Sequence, residues 1–189
     1  MCATAIVAMS ACSPDQNEPV VYHAAYPLYG SVTDLTEAAD LVIVATVLSS
    51  EVQVLNILSE PDGTGNPDTN PQEGGTGEPI DGEGEFVYTV YQLLIAEVIS
   101  GDVAAGETIE AAQLGGGSID GTDYVEASTE YLAIDETYAL FLSDYENSPA
   151  KPISNTQAVY LQQDDESSFE SLSDDNPIAE EVVVELENR

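Results

Sequence analysis

The stretch that decides the fold is residues 31–58, SVTDLTEAADLVIVATVLSSEVQVLNIL, in which a short helix leads into a long strand. Ser31 is a good N-cap residue, and Asp34 places a carboxylate at the positive end of the helix. From Leu41 the chain is β-branched and almost continuously apolar, which is typical of a strand covered on both faces. We therefore expect a short N-terminal helix followed by a strand of the core.

Later segments have the same strand-like character. They are residues 86–99, 107–114, 137–142 and 158–162. In the first of them both faces are largely apolar, which suits the wall of a barrel covered outside by helices or loops. The pattern predicts a mainly β protein, a β-barrel of about five strands, whereas the polar residues 118–130 predict a loop.

The C-terminal part of the chain favours a helix. Asn176 and Pro177 form a good N-cap and N1 pair, and apolar residues then recur at every fourth position. These residues are Ile178, Val182 and Leu186. Three consecutive valines at 182–184 leave a strand as the alternative.

The composition limits the classes of partner. The chain has 189 residues, 43% of them hydrophobic, which is enough for one domain with a core. Its 36 acidic residues against Lys151 and Arg189 give a net charge of −34. A field of that sign repels phosphates, so we expect no nucleic-acid binding. We interpret the charge as a solvated acidic coat, with a specific cation store as the alternative.

The N-terminus resembles the end of a bacterial lipoprotein signal. Residues 3–11 are apolar and small, and Met9-Ser10-Ala11-Cys12 resembles a lipobox, which is cleaved before a cysteine that then receives lipid. This predicts a signal-like segment over 1–12, lipidation of Cys12, a tether over 13–30 and one domain over 31–189. The protein would then be a membrane-anchored, extracytoplasmic lipoprotein of the cell surface. A frayed terminus over 1–30 is the alternative.

Residues 59–85 predict a flexible acidic insertion, because they are rich in Gly, Pro and acidic residues. Oxygen-bearing side chains recur there at alternate positions, as in a calcium loop, and a glutamate stands at the twelfth position. The candidate ligands are Asp62, Thr64, Asn66, Asp68 and Glu73. Pro67 interrupts the pattern, so a linker without bound Ca²⁺ is the preferred interpretation.

The sequence contains no recognisable catalytic motif. His23 is the single histidine and has no Cys or Ser motif attached to it. The glycine runs lack the Lys and the following helix of a phosphate-binding loop. We therefore expect a protein that is not an enzyme and has no cofactor.

The order of motifs is similar to that of uncharacterised exported bacterial proteins. In these a helix enters a first strand, a second strand ends near Gly-Asp, and a glycine pair and an apolar strand follow. The matching pieces here are residues 31–47, 95–102, 106–116 and 135–142. The chain departs from that pattern at Ala45, where a Gly is usual, and at Ser100, where a Lys is usual.

The resemblance implies a small OB-like barrel, similar to the netrin-like domain of tissue inhibitors of metalloproteinases. Those inhibitors bind the protease zinc through the free amine of an N-terminal cysteine, which a lipid-anchored Cys12 would not present. We expect an interaction or binding module, held to the membrane by its lipid, with an unknown protein or surface partner. The alternatives are a cation-binding surface protein that uses residues 62–73 and, by fold analogy, a protease inhibitor.

Overall fold

The computed structural model describes residues 17–56, 84–163 and 168–187. These residues form ten strands and two helices. The elements are β1 (Val20–Tyr22), α1 (Val32–Ala38), β2 (Leu41–Asn56), β3 (Glu85–Ser100), β4 (Thr108–Leu114), β5 (Gly117–Ile119), β6 (Thr122–Glu126), β7 (Thr137–Tyr145), β8 (Ser148–Pro152), β9 (Val159–Gln162), β10 (Phe169–Ser171) and α2 (Ala179–Glu187).

The prediction of a mainly β protein is confirmed, but the predicted number of about five strands is wrong. The five predicted strands correspond to β2, β3, β4, β7 and β9. The other five are three to five residues long, which is too short for an alternating pattern to stand out.

The predicted loop over residues 118–130 is also wrong in its first half. Here β5 and β6 pair antiparallel across the turn Asp120-Gly121. Both turn residues have positive φ, 51° and 77°, as a two-residue hairpin turn with the twist of its strands requires. The strands were missed because polar side chains such as Ser118 and Asp123 fill them.

Seven strands form the main sheet, in the order β10-β9-β7-β2-β3-β4-β8. In addition β7 pairs with β8, so the path of pairings through β2, β3, β4, β8 and β7 returns to β2. Four of these five pairings are antiparallel, and the one between β4 and β8 is parallel. A second sheet of three strands has the order β1-β6-β5.

The two faces of β2 supply two different hydrophobic clusters, as its continuous apolar sequence predicts. Leu41, Ile43, Ala45 and Val47 alternate on one face and pack with buried residues of β3, β4 and β7. Val42 and Val44 face the other way and pack with Leu35 of α1 and with α2. The helices therefore cover one face of the first half of β2 and of β7, which explains why the run from Leu41 to Val47 is apolar on both faces.

Helix α1 begins as the sequence predicts, and α2 begins at Ala179, two residues after the predicted first helical residue Pro177. The hydroxyl of Ser31 accepts a hydrogen bond from the Asp34 amide at 3.1 Å. The side-chain oxygen of Asn176 accepts one from the Ile178 amide, also at 3.1 Å. Ile178, Val182 and Leu186 are buried, so the helix is confirmed over the alternative strand. Neither helix in the described part of the chain has the length and apolar character needed to span a bilayer.

The segment before α1 is held to the two sheets at both ends. β1 pairs in parallel with β6, and the hydroxyl of Tyr22 accepts a hydrogen bond from the Val87 amide at 3.2 Å. At Tyr29 the backbone exchanges two hydrogen bonds with the side chain of the fully buried Gln157, at 2.7 and 3.0 Å. Residues 22–29, which lie in the predicted tether, therefore cross the surface of the main sheet between two fixed points.

Candidate functional site

The residues that the sequence nominated as sites lie outside the described residues. They are Cys12 and the candidate calcium ligands Asp62, Thr64, Asn66, Asp68 and Glu73. Lipidation and calcium binding therefore stay predictions. His23 is described, and its side chain is exposed on the segment after β1.

A cavity of about 290 Å³ lies under the segment that leads to α1. Its floor comes from β3, β4, β7 and β8, and its polar and aromatic lining converges from separate parts of the chain. We call it the tyrosine pocket and define it by Tyr26, Tyr29, Tyr88, Tyr145, Lys151 and Asn155. The antiparallel pairing of Ser143 with Lys151 brings β7 and β8 together at this place.

Lys151 lies between two aromatic rings of the pocket. Its Nζ atom is 5.4 Å from the ring centre of Tyr88 and 4.8 Å from that of Tyr145. Both distances are within the range of a cation–π interaction, which favours a charged ammonium beside the electron-rich ring faces. Lys151 is also the one Lys or Arg among the described residues, because Arg189 lies beyond them.

The hydroxyl of Tyr88 has no hydrogen-bond partner among the described residues, although the side chain is only 8% exposed. In the described part of the chain, the Oγ atom of Ser154 is the one fully buried polar side-chain atom without a partner. The hydroxyl oxygen of Tyr88 is therefore not fully buried and remains accessible to solvent. Burial raises the pKa of Tyr88 to about 12, and the nearby Tyr26 and Tyr145 add to the shift. The group is therefore a neutral donor at physiological pH, open to the pocket.

Among the described residues that line the tyrosine pocket there is no Asp or Glu, although 36 of the 189 residues of the chain are acidic. A second cavity, of about 440 Å³, shows the contrast. It lies beside Leu41 and β4, and Glu110, Asp144 and Glu146 line it. The described lining of the tyrosine pocket thus consists of Lys151 and of neutral polar, aromatic and apolar groups.

A buried carboxylate supports one side of the pocket. Glu126 is 4% exposed and accepts hydrogen bonds from the Ser128 amide at 2.8 Å and from the Asn155 amide group at 2.9 Å. The Ala24 amide and the Ser128 and Thr129 hydroxyls also donate to it. Asn155 itself lines the pocket, so Glu126 fixes the position of a pocket residue.

The described lining of the pocket contains no Cys or His, and its one serine, Ser143, lies directly across from Lys151 in the β7–β8 pair. The side-chain amide of Gln113 already donates to the backbone carbonyl of Glu130, and that of Asn155 donates to the carboxylate of Glu126. Within the described ranges no three His, Cys, Asp or Glu side chains form a group that could hold a metal ion.

Comparison with known proteins gives no match: no family model fits the chain, and neither a curated protein nor a solved structure matches it. The site therefore has to be interpreted from its own residues.

The tyrosine pocket was not predicted from the sequence, in which Lys151 stands out only as one of two cations. The available signal is that Lys151 is the single lysine of a strongly acidic chain. Its tyrosine neighbours come from β3 and β7, which no local pattern connects.

Proposed function

We propose that this protein is an extracytoplasmic binding module that is not an enzyme. In this proposal an OB-like barrel carries the tyrosine pocket, and a lipid on Cys12 holds the module to the cell surface. The ligand enters the pocket from solvent, between the segment that precedes α1 and the paired strands β7 and β8.

The barrel is supported by the cyclic path of strand pairings. An OB-fold is a five-stranded Greek-key barrel, and its binding face and loops take up ligands in many proteins. Here β8 supplies both closing pairings, parallel to β4 and antiparallel to β7. The cluster around Ile43, Leu93 and Leu140 would be the barrel interior.

The binding function rests on one observation, the tyrosine pocket with its available hydroxyl on Tyr88. Ligand sites are concave, with apolar and aromatic walls and a few convergent polar groups. Pro27, Leu114 and Pro152 supply apolar wall here, and Tyr88 and Lys151 supply the polar groups. A purely structural cavity of this kind would gain stability if the tyrosine hydroxyl were hydrogen bonded.

Ligand binding is tested by a fragment screen with NMR detection on protein labelled at its tyrosine rings. The set contains neutral, cationic and anionic compounds of one ring each. We expect at least one charge class to shift the Tyr88 and Tyr145 signals while Tyr160, which lies under α2, does not move. A screen in which no fragment affects the pocket signals contradicts the binding function.

The anchor is tested on the protein expressed from its own gene in its own cells. Mass spectrometry of the native N-terminus should show a diacylated Cys12, and Cys12→Ser should move the protein from the membrane to the soluble extracytoplasmic fraction. An intact, unmodified N-terminus that includes Met1 contradicts the anchor and leaves the binding function untouched.

A further inference from the structure

We propose that the second half of β2 is a docking edge for an extended, basic segment of a partner protein, which adds to the main sheet as a further strand. We call residues 49–55 of β2 the open edge. None of them is among the described residues that line the tyrosine pocket, so this surface goes beyond the proposed function. The partner's backbone would bind the backbone of the open edge, and its lysine or arginine side chains would face Glu51.

Strand β2 extends beyond the strand that lies beside it. Residues 41–46 of β2 pair with β7. The Val47 amide then donates to the Glu136 carbonyl at 3.0 Å, and the Val47 carbonyl accepts from the Asp135 amide at 2.9 Å. Past this point β2 pairs only with β3 in the described part of the chain, so its other side continues without a neighbouring strand.

The hydrogen bonds of Val87 in β3 show which backbone groups of the open edge point outward. The Val87 amide donates to the Tyr22 hydroxyl at 3.2 Å, and the Val87 carbonyl accepts from the Gly115 amide at 2.7 Å. Both groups are therefore used on the side away from β2. Val54, which lies opposite Val87, is in a non-hydrogen-bonded pair and points its own N–H and C=O away from β3.

Ser50 and Val52 point their backbone groups the same way as Val54. The register with β3 does not shift between residues 49 and 56, so bonded and non-bonded pairs alternate regularly there. These three residues present their N–H and C=O groups along the open edge, and no described residue is a partner for them. An extended peptide satisfies such groups when it adds to a sheet as a strand.

The open edge has few of the features that keep exposed edges from pairing. Proteins protect an edge with lysine, proline, charged side chains or a very short strand. Strand β10, at one end of the main sheet, is only three residues long. The open edge has the sequence SSEVQVL, in which Glu51 is the one charged residue, and Val54 is 51% exposed. It is therefore suited to accept a further strand.

The side chains of the open edge define the chemistry of the partner. Val52 and Val54 lie on one face, where Val52 packs beside Gly117 of β5, and Glu51 and Gln53 lie on the other. Side chains directly opposite each other on neighbouring strands interact, so the partner should place apolar residues opposite the valines and a cation opposite Glu51. A net charge of −34 attracts a basic chain and repels a second copy of this protein.

The test uses the alternating peptide acetyl-Lys-Val-Lys-Val-Lys-Val-Lys-amide. One control peptide has the same residues in the order Lys-Lys-Val-Val-Val-Lys-Lys, and the other carries N-methyl groups on its valines, whose amides would face β2. NMR titrations are run at about 0.3 M NaCl, where screening weakens diffuse attraction to the acidic surface. We expect a Kd on the order of 0.1 mM for the alternating peptide and at least about tenfold weaker binding of both controls.

Amide hydrogen exchange locates the bound peptide. In the free protein the amides of Ser50, Val52 and Val54 should exchange quickly, whereas those of Glu51 and Gln53 should exchange slowly because they are bonded to β3. The alternating peptide should slow the first three at least about tenfold.

Two pairs of variants assign the contacts. Val54→Pro removes an outward N–H and no donor of the ladder to β3, so it should weaken peptide binding about tenfold, while Val54→Thr should change it less than about twofold. Glu51→Gln should weaken binding about threefold. Glu37→Gln, an equal change of charge at an exposed position of α1, should have no effect. The comparison of peptides needs no variant, so it remains decisive if Val54→Pro does not fold.

Three results would overturn the docking edge. Equal binding of the three peptides would show attraction to the acidic coat alone. Slow exchange of Ser50, Val52 and Val54 in the free monomer would show that the edge is already covered. Slow exchange that appears only with a concentration-dependent dimer would assign the edge to a second copy of the chain. None of these results involves the tyrosine pocket, so the proposed binding function is decided separately by its fragment screen.

Discussion

Replacing Glu126 by Ala should destabilise the fold more than any other removal of a single carboxylate in the described part of the chain. The carboxylate is 4% exposed and joins three regions: the segment after β1, the loop after β6 and the loop after β8. Its removal leaves the amides of Ala24 and Ser128 and the side chain of Asn155 without their acceptor.

The size of the effect follows from these bonds. A hydrogen bond to a charged group contributes about 1.5–3 kcal/mol, and Ser128 and Asn155 donate at 2.8 and 2.9 Å. Water entering the space would replace part of the loss, so we expect a net cost of about 3 kcal/mol. In a chain of this length that corresponds to a fall in Tm of about 6–12 °C.

Urea unfolding followed by circular dichroism measures the free energy, and Glu130→Ala is the matched control. Glu130 is exposed, lies four residues further along the same loop, and its removal changes the net charge equally. The control should change the unfolding free energy by less than about 0.5 kcal/mol. Equal effects of the two substitutions would refute the role assigned to Glu126.

The pH dependence gives a second measure of Glu126. Burial acts to raise its pKa, but the hydrogen bonds from Ser128, Thr129 and Ala24 together hold the pKa below its ordinary value of 4.5. A depressed pKa means that the stabilisation is present above pH 4.5 and is lost as the pH falls through the folded-state value. Glu126→Gln should therefore lose stability at neutral pH and show a smaller further loss on acidification than the wild type.

Three further predictions concern the rest of the fold. Gly116→Ala should cost about 1–3 kcal/mol more than Gly121→Ala, because both glycines have positive φ but only at Gly116 would the new methyl meet Tyr131, at 2.6 Å. Equal urea midpoints for these two variants would contradict that contact. Stability should fall from about pH 10 to about pH 12, because burial raises the pKa of Tyr88 and Tyr160 to about 12 in the folded state and both stay near 10 when unfolded. A spectrophotometric titration in which all tyrosines ionise near pH 10 in the folded protein would refute it. The Tm should rise with NaCl as screening reduces the self-repulsion of a net charge of −34, and a Tm independent of salt would contradict that repulsion.

The elements that the sequence predicts correctly are those with a strong local signal. The apolar run from Leu41 and the capping residues Ser31 and Asn176 each determine structure within a few neighbours, and the structure contains each of them. The short strands β5 and β6 depend on their pairing across Asp120-Gly121, and their side chains are too polar to reveal it.

The candidate site could not be predicted because it forms from long-range pairings. Tyr88, Tyr145 and Lys151 meet only when β8 pairs with β7 and lies beside β4. Glu126 is one of 36 acidic residues, and only its contacts distinguish it from the solvated ones. Because the chain has so many acidic residues, its sequence does not show that the carboxylate of Glu126 is buried and accepts several hydrogen bonds.

The position of β8 is the claim on which the barrel and the tyrosine pocket both depend. Interstrand nuclear Overhauser effects in the labelled protein test it directly, through contacts between Ala111 and Ala150 across the parallel pair and between Ser143 and Lys151 across the antiparallel pair. We expect both contacts, together with slow amide exchange along the paired part of β8. Contacts to β7 alone, with fast exchange on the side of β4, would show that the sheet stays open and that the pocket does not form.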